Sequence, residues 1–196
     1  MITGMSVYLV SSSAAYIPGE VKVAAFADLD WRRIDVTSIV TFGGVNAIDV
    51  GQHQACRAWL ASEGYQIITF DCRMGLAEAI PELGRLFAWE QQFGYNLTEQ
   101  NANLDAVRDG FGYAPPGSGR RVFEILGADL AWDEDREWLA GLLSIAQEYS
   151  RKELALGRRF FALLVVPDED SPLVDAVIEE TRVPFAYWSP ARSEAP

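Results

Sequence analysis

Phe160-Phe-Ala-Leu-Leu-Val-Val166 is a run of seven residues without one polar side chain. It is far shorter than the roughly 20 residues a bilayer-spanning helix needs, and it suits a strand buried on both faces. Upstream of it, Asp133–Leu156 has the marks of a long amphipathic helix. Asp133, Glu134, Asp135 and Glu137 crowd the start, Arg151 and Lys152 sit near the end, and Gly157 follows, matching the polarity of the helix dipole and a glycine C-terminal cap. Trp138, Leu142, Ile145 and Tyr149 form its inward stripe, with Leu139 and Ala146 beside them. Before that helix, Arg121–Leu126 (Arg-Val-Phe-Glu-Ile-Leu) is a short buried strand, entered from the loop Ala114-Pro-Pro-Gly-Ser-Gly119. Two apolar strands joined by a long helix imply parallel pairing through a right-handed crossover.

The same grammar continues towards the N-terminus. Tyr65–Asp71 is β-branched and aromatic, and Gly75–Phe93 keeps Leu76, Ile80, Leu83, Leu86 and Phe87 at helical spacing, with Pro81 either kinking the helix or marking its first turn. A polar loop, 95–100, leads to a short acidic helix capped by Asn101 or Asn103. Gln52–Glu63 is a further helix carrying Ala55, Trp59 and Leu60 and ending at Gly64. The expected fold is therefore α/β: a small parallel sheet with helices packed on it in two or three layers, spanning residues 51–167. Residues 1–50 are expected to be a β-rich extension, with strands at Ser6–Val10, Val21–Phe26 and Ile39–Phe42. In the C-terminal extension, 168–196, Leu173–Glu180 is expected to be helical and Val183–Trp188 a strand. Both would pack on the same domain ahead of a frayed tail from Ser189.

Composition sets limits on function. With 49% hydrophobic and 22% charged residues over 196 positions, the chain can build one sizeable core. It carries 28 acids against 16 bases, a net charge of −12, and it has no Lys/Arg cluster with interleaved aromatics. That argues against direct nucleic-acid binding and is compatible with a basic protein partner. The N-terminus lacks a basic segment followed by an apolar one, and no membrane span is expected, so the expected compartment is the cytoplasm. Cys56 and Cys72 lack metal-ligand spacing and are expected as reduced, buried thiols, with a disulfide between them left open. His53 is the single histidine, which gives a zinc site or a Ser/His/Asp triad little to build on, and a structural role is expected for it. No cofactor is called for.

Asn101-Ala-Asn-Leu-Asp-Ala-Val-Arg-Asp-Gly-Phe111 places Asp105 and Asp109 one turn apart on one helix face, with Leu104, Val107 and Phe111 on another. Like charges at that spacing cost roughly 0.2–0.5 kcal/mol in an isolated helix. They suit either a solvated face or a surface kept for a partner. Asn103-Leu-Asp-Ala-Val-Arg-Asp109 resembles the signature of the barstar family of intracellular ribonuclease inhibitors. The resemblance covers about Tyr65 to Val166. Val122-Phe123-Glu124 is similar to that family's central strand, and the long helix before Phe160 places Glu148 where the family has a contacting carboxylate.

The resemblance implies inhibition by occlusion, in which an acidic helix and the loop before it enter the basic cleft of a ribonuclease or nuclease toxin. Asp109 would be the central contact, Asp105 and Glu148 flanking charges, and Phe93 or Tyr95 the covering aromatic, with Asn103 and Arg108 in the same motif. Carboxylates on a rigid helix can stand in for phosphate oxygens, and complementary charge speeds association. The chain departs from the pattern at Arg108, where an aromatic is usual and where a pairing with Asp105 is open, and in an insertion between Leu97 and Asn103. An alternative keeps the fold with a partner other than a ribonuclease. Another gathers Asp105, Asp109, Glu124 and Glu148 into a carboxylate cluster for metal-assisted or acid/base hydrolysis, though the sequence lacks a nucleophile motif and a phosphate-binding loop.

Overall fold

The computed structural model describes residues 34–112 and 119–186, so the expected strands at Ser6–Val10 and Val21–Phe26 and the tail from Ser189 lie outside the described residues. A four-stranded, wholly parallel sheet forms the centre. Its strands are β1 (Val45–Asp49), β2 (Gln66–Asp71), β3 (Arg120–Leu126) and β4 (Arg159–Val166), in the order β1-β4-β3-β2. The fold is α/β. All eight residues of β4 are buried, because β4 is an inner strand with helices on both of its faces. Its even-numbered residues Phe160, Ala162, Leu164 and Val166 join one core, and Phe161, Leu163 and Val165 join the other, the period-2 alternation of a pleated strand.

Chain direction decides which helices cover which face. From β2 the chain steps one place to β3 through α3 (Leu76–Leu86), α4 (Trp89–Phe93) and α5 (Leu104–Gly112). A second step to β4 runs through α6 (Ala128–Glu134) and α7 (Arg136–Ala155). These helices supply the larger core, around Leu83, Phe87, Trp89, Phe111, Leu139 and Leu142. From β1 to β2 the chain travels the opposite way across the whole sheet, and with the crossover hand unchanged its helix must lie on the other face. That helix is α2 (Val50–Ser62). With α1 (Ile34–Thr41) it provides Ile39, Cys56 and Leu60 to the second core, against Ile48, Val122, Phe161 and Leu163.

Several boundaries differ from the sequence-based expectation. Ile39–Phe42 is not a strand: Ile39–Thr41 is the last turn of α1, and the strand of this region is Val45–Asp49, which pairs with β4 as an edge of the main sheet. Leu173–Glu180 is not a helix. It holds turns, left-handed backbone at Asp175 (φ 60°) and Glu179 (φ 53°), and a two-residue ladder between β5 (Val177–Ile178) and β6 (Thr181–Arg182). Val183–Trp188 contributes only the bridge of Phe185 to Ala47 within its described part. Leu173, Ile178 and Val183 nonetheless pack into the larger core. Pro81 lies inside α3 without ending it; the break comes at Ala88, whose left-handed backbone (φ 51°) separates α3 from α4. The helix expected from Asp133 is two, divided at Asp135, which caps α7 by accepting from the backbone N–H of Trp138 at 2.9 Å. No helix among the described residues is long and apolar enough to cross a membrane.

Candidate functional site

The acidic helix is seated as its pattern demands. Val107 and Phe111 are buried, Leu104 packs on Gly141 of α7, and Asp105, Arg108 and Asp109 face outward. Asn103, not Asn101, is the cap: its Oδ1 accepts from the Ala106 N–H at 2.9 Å. Asn101 instead ties the preceding loop, accepting from Thr98 N–H at 2.7 Å and donating to the Asn96 carbonyl at 3.0 Å. The indole N–H of Trp138 donates to the Ala102 carbonyl at 2.9 Å. Helix and loop thus form one held surface. Gly110 sits against the Trp89 ring so closely that a Cβ there would lie 2.5 Å from Cζ3. Trp89 in turn packs on Phe93 (centroids 4.6 Å apart) and on Tyr95 (6.2 Å). Phe93 is half-buried in this aromatic group, and Tyr95 is exposed.

Charge on that surface is unevenly neutralised. Arg108 donates through Nη1 to Asp105 at 2.9 Å and through Nε to Glu148 at 3.2 Å, so it clamps α5 to α7. Lys152 also pairs with Glu148, at 2.7 Å. The Lys152 hydrogen bond, with Arg108 adding, holds the Glu148 carboxyl below its ordinary range. Asp109 is exposed and has no hydrogen-bonding or ionic partner among the described residues. The structure thus places Asp105, Arg108 and Asp109 on the outer face of α5 beside Glu148 of α7, with Asn103 capping α5, Phe93 ending α4 and Tyr95 on the loop that follows it.

Glu124 does not join them. Its side chain points to the opposite face of the sheet, towards α2, where it is 1% exposed. His53 Nε2 lies 2.7 Å from Oε1, Thr69 Oγ1 donates to Oε2 at 2.8 Å, and Arg57 Nη1 donates to Oε2 as well. Burial alone would push the Glu124 carboxyl up; the bonds from His53, Thr69 and Arg57 outweigh it and hold the group below its ordinary value. The four-carboxylate cluster is therefore not assembled, and no group of three metal-ligating side chains occurs among the described residues. His53 is buried and bonded to Glu124, a more polar setting than that of a lone core histidine.

This buried group floors a cleft of about 690 Å³ at the carboxyl ends of the strands, walled by Val50, Leu126, Leu130, Val165 and Val166 and rimmed by Asp71, Arg73 and Asp129. The cleft lies where α2, leaving β1 on one face, passes the carboxyl ends of β2, β3 and β4. Sequence reading missed it because His53 and Glu124 are 71 positions apart. The available signals were Thr69 and Glu124, polar residues inside otherwise apolar strands, and the one-turn spacing of His53 and Arg57. Cys56 and Cys72 are free thiols on opposite faces of the sheet. Comparison with protein-family models, with curated proteins and with solved structures finds no match to this chain.

Proposed function

We propose that this chain is a barstar-like cytoplasmic inhibitor that occludes the active site of a basic ribonuclease or nuclease toxin with the outer face of α5 and the aromatic loop before it. The observation that carries the reading is Asp109: an exposed carboxylate without an intramolecular partner among the described residues, on a helix held by Val107, Phe111 and the Gly110–Trp89 contact. A carboxylate so held loses little freedom on binding and can accept from arginine or histidine groups that otherwise take a phosphate. Tyr95, exposed at the edge of the same aromatic group, offers the apolar cover. The chain's net charge of −12 favours fast encounter with a cationic partner. Arg108 narrows the specificity, because it occupies Asp105 and Glu148 and presents a cation that a strongly basic cleft must avoid or a partner carboxylate must meet.

The test is capture from the native cytosol on immobilised protein, followed by ribonuclease assay of the captured partner with and without the inhibitor. Asp109→Ala should weaken binding by about 2 kcal/mol or more, the cost typical of a central charged contact, whereas Asp133→Ala, exposed on α6, should change it little. Equal losses for the two variants in titration calorimetry would move the interface elsewhere. A captured partner that binds through Asp109 but has no nuclease activity would replace the ribonuclease with another class of basic protein.

A further inference from the structure

We infer that the cleft at the carboxyl ends of the strands is a second binding site, for a small organic monoanion that carries a carboxylate on an apolar body. Hydrogen-bonding capacity points to the anion. Two of the three carboxylates at the cleft are already matched: Glu124 takes bonds from His53, Thr69 and Arg57, and Asp71 takes a bidentate pair from Arg73, at 2.8 Å from Nε and 2.5 Å from Nη2, while the third, Asp129, stands on the rim. Arg57 is not used up. Both of its hydrogen bonds, to Thr69 and Glu124, leave from Nη1, so the edge formed by Nε and Nη2 has donors to spare, on a side chain 37% exposed beside the cleft.

Glu124 and Thr69 fix that guanidinium in place before any ligand arrives, and a planar guanidinium edge matches the two oxygens of a carboxylate. Around it, Leu126, Leu130, Val165 and Val166 provide the apolar wall that ligand clefts of this size use to cover a hydrocarbon or ring. Two features exclude a polyphosphate. Asp129 stands on the rim in the first turn of α6, and Asp49 caps the first turn of α2 by accepting from the Gln52 N–H at 2.9 Å, so both helix starts that line the cleft already carry one of the chain's own carboxylates. The site lies across the sheet from α5 and is independent of the inhibitor surface.

Heteronuclear NMR of the full chain titrated with phenylbutyrate, with phenylbutanol and phenyl phosphate as comparisons, tests the assignment. Phenylbutyrate should shift the backbone amides of Gly127, Leu130 and Val166 in a saturable way and bind about tenfold more tightly than phenylbutanol. Arg57→Lys keeps a cation beside Glu124 and loses the forked edge; it should reduce phenylbutyrate affinity about tenfold and leave phenylbutanol unchanged. Leu130→Trp, at a half-exposed rim position remote from the buried polar group, should fill the mouth and abolish the shifts for both. Absence of shifts at the three amides overturns the site. Equal binding of acid and alcohol, or unaltered phenylbutyrate affinity in Arg57→Lys, overturns the role of Arg57. Tighter binding of phenyl phosphate overturns the monoanion.

Discussion

Glu124 sits inside a strand between Phe123 and Ile125, almost wholly removed from water, and stays ionised because three side chains donate to it. Removing its charge leaves Arg57 and His53 turned towards a neutral amide, so Glu124→Gln should cost about 1–3 kcal/mol of stability at neutral pH. The pH dependence has a definite sign. A carboxyl held below its ordinary 4.5 in the folded chain contributes stability that is complete above that value and drains away as pH falls through the folded value. Urea unfolding should therefore show the gap between parent and Glu124→Gln narrowing below about pH 4.5; a gap of constant width would mean that the carboxyl is not held down. Single residues were legible in the sequence when their role was local. Gly64 after α2 and the i,i+3 pairing of Arg108 with Asp105 follow from spacing, and spacing narrowed the cap of α5 to Asn101 or Asn103, of which the structure uses Asn103. The bonds of His53 and Arg57 to Glu124 join α2 to an inner strand, and no local rule brings such residues together.

At the scale of elements, long amphipathic patterns were readable and short ones were not. α2, α3 and α7, and strands β2, β3 and β4, fall where periodicity and β-branched content place them. α1 does not: Ile-Asp-Val-Thr-Ser-Ile-Val is rich in β-branched residues, yet Val36 and Ile39, one turn apart, are buried, and tertiary packing overrides the weak local preference. β1 was hidden because Val-Asn-Ala-Ile-Asp has only five residues and turns Asn46 inward. The acidic helix owes its position to two close approaches, Leu104 on Gly141 and Trp89 on Gly110. Gly110→Ala should thus cost about 1–3 kcal/mol through overpacking, and it should weaken partner binding as α5 shifts with Asp109 on it. Chemical denaturation measures the first effect. An unchanged midpoint would show that the Trp89 ring yields freely.

Across the molecule, the sheet divides the interior into two cores, each holding one cysteine. Burial pushes both thiols up to about 12, with Glu124 adding for Cys56 and Asp71 for Cys72. An aromatic disulfide reagent should leave both unmodified in native buffer and modify both in denaturant, and native labelling of either one would show that its face of the sheet opens locally. The strand order bears on synthesis as well. β1 pairs with β4 and with the bridge at Phe185, so Val45 meets its partner Ala162 only after nearly the whole described chain has been made. β1 and α2 emerge from the ribosome early with no sheet to pack on, whereas β2, β3 and β4 can assemble one after another as they appear. β1 is therefore made well before its strand partner, and a chain stalled before β4 would leave Val45, Ala47 and Ile48 open to chaperones and proteases.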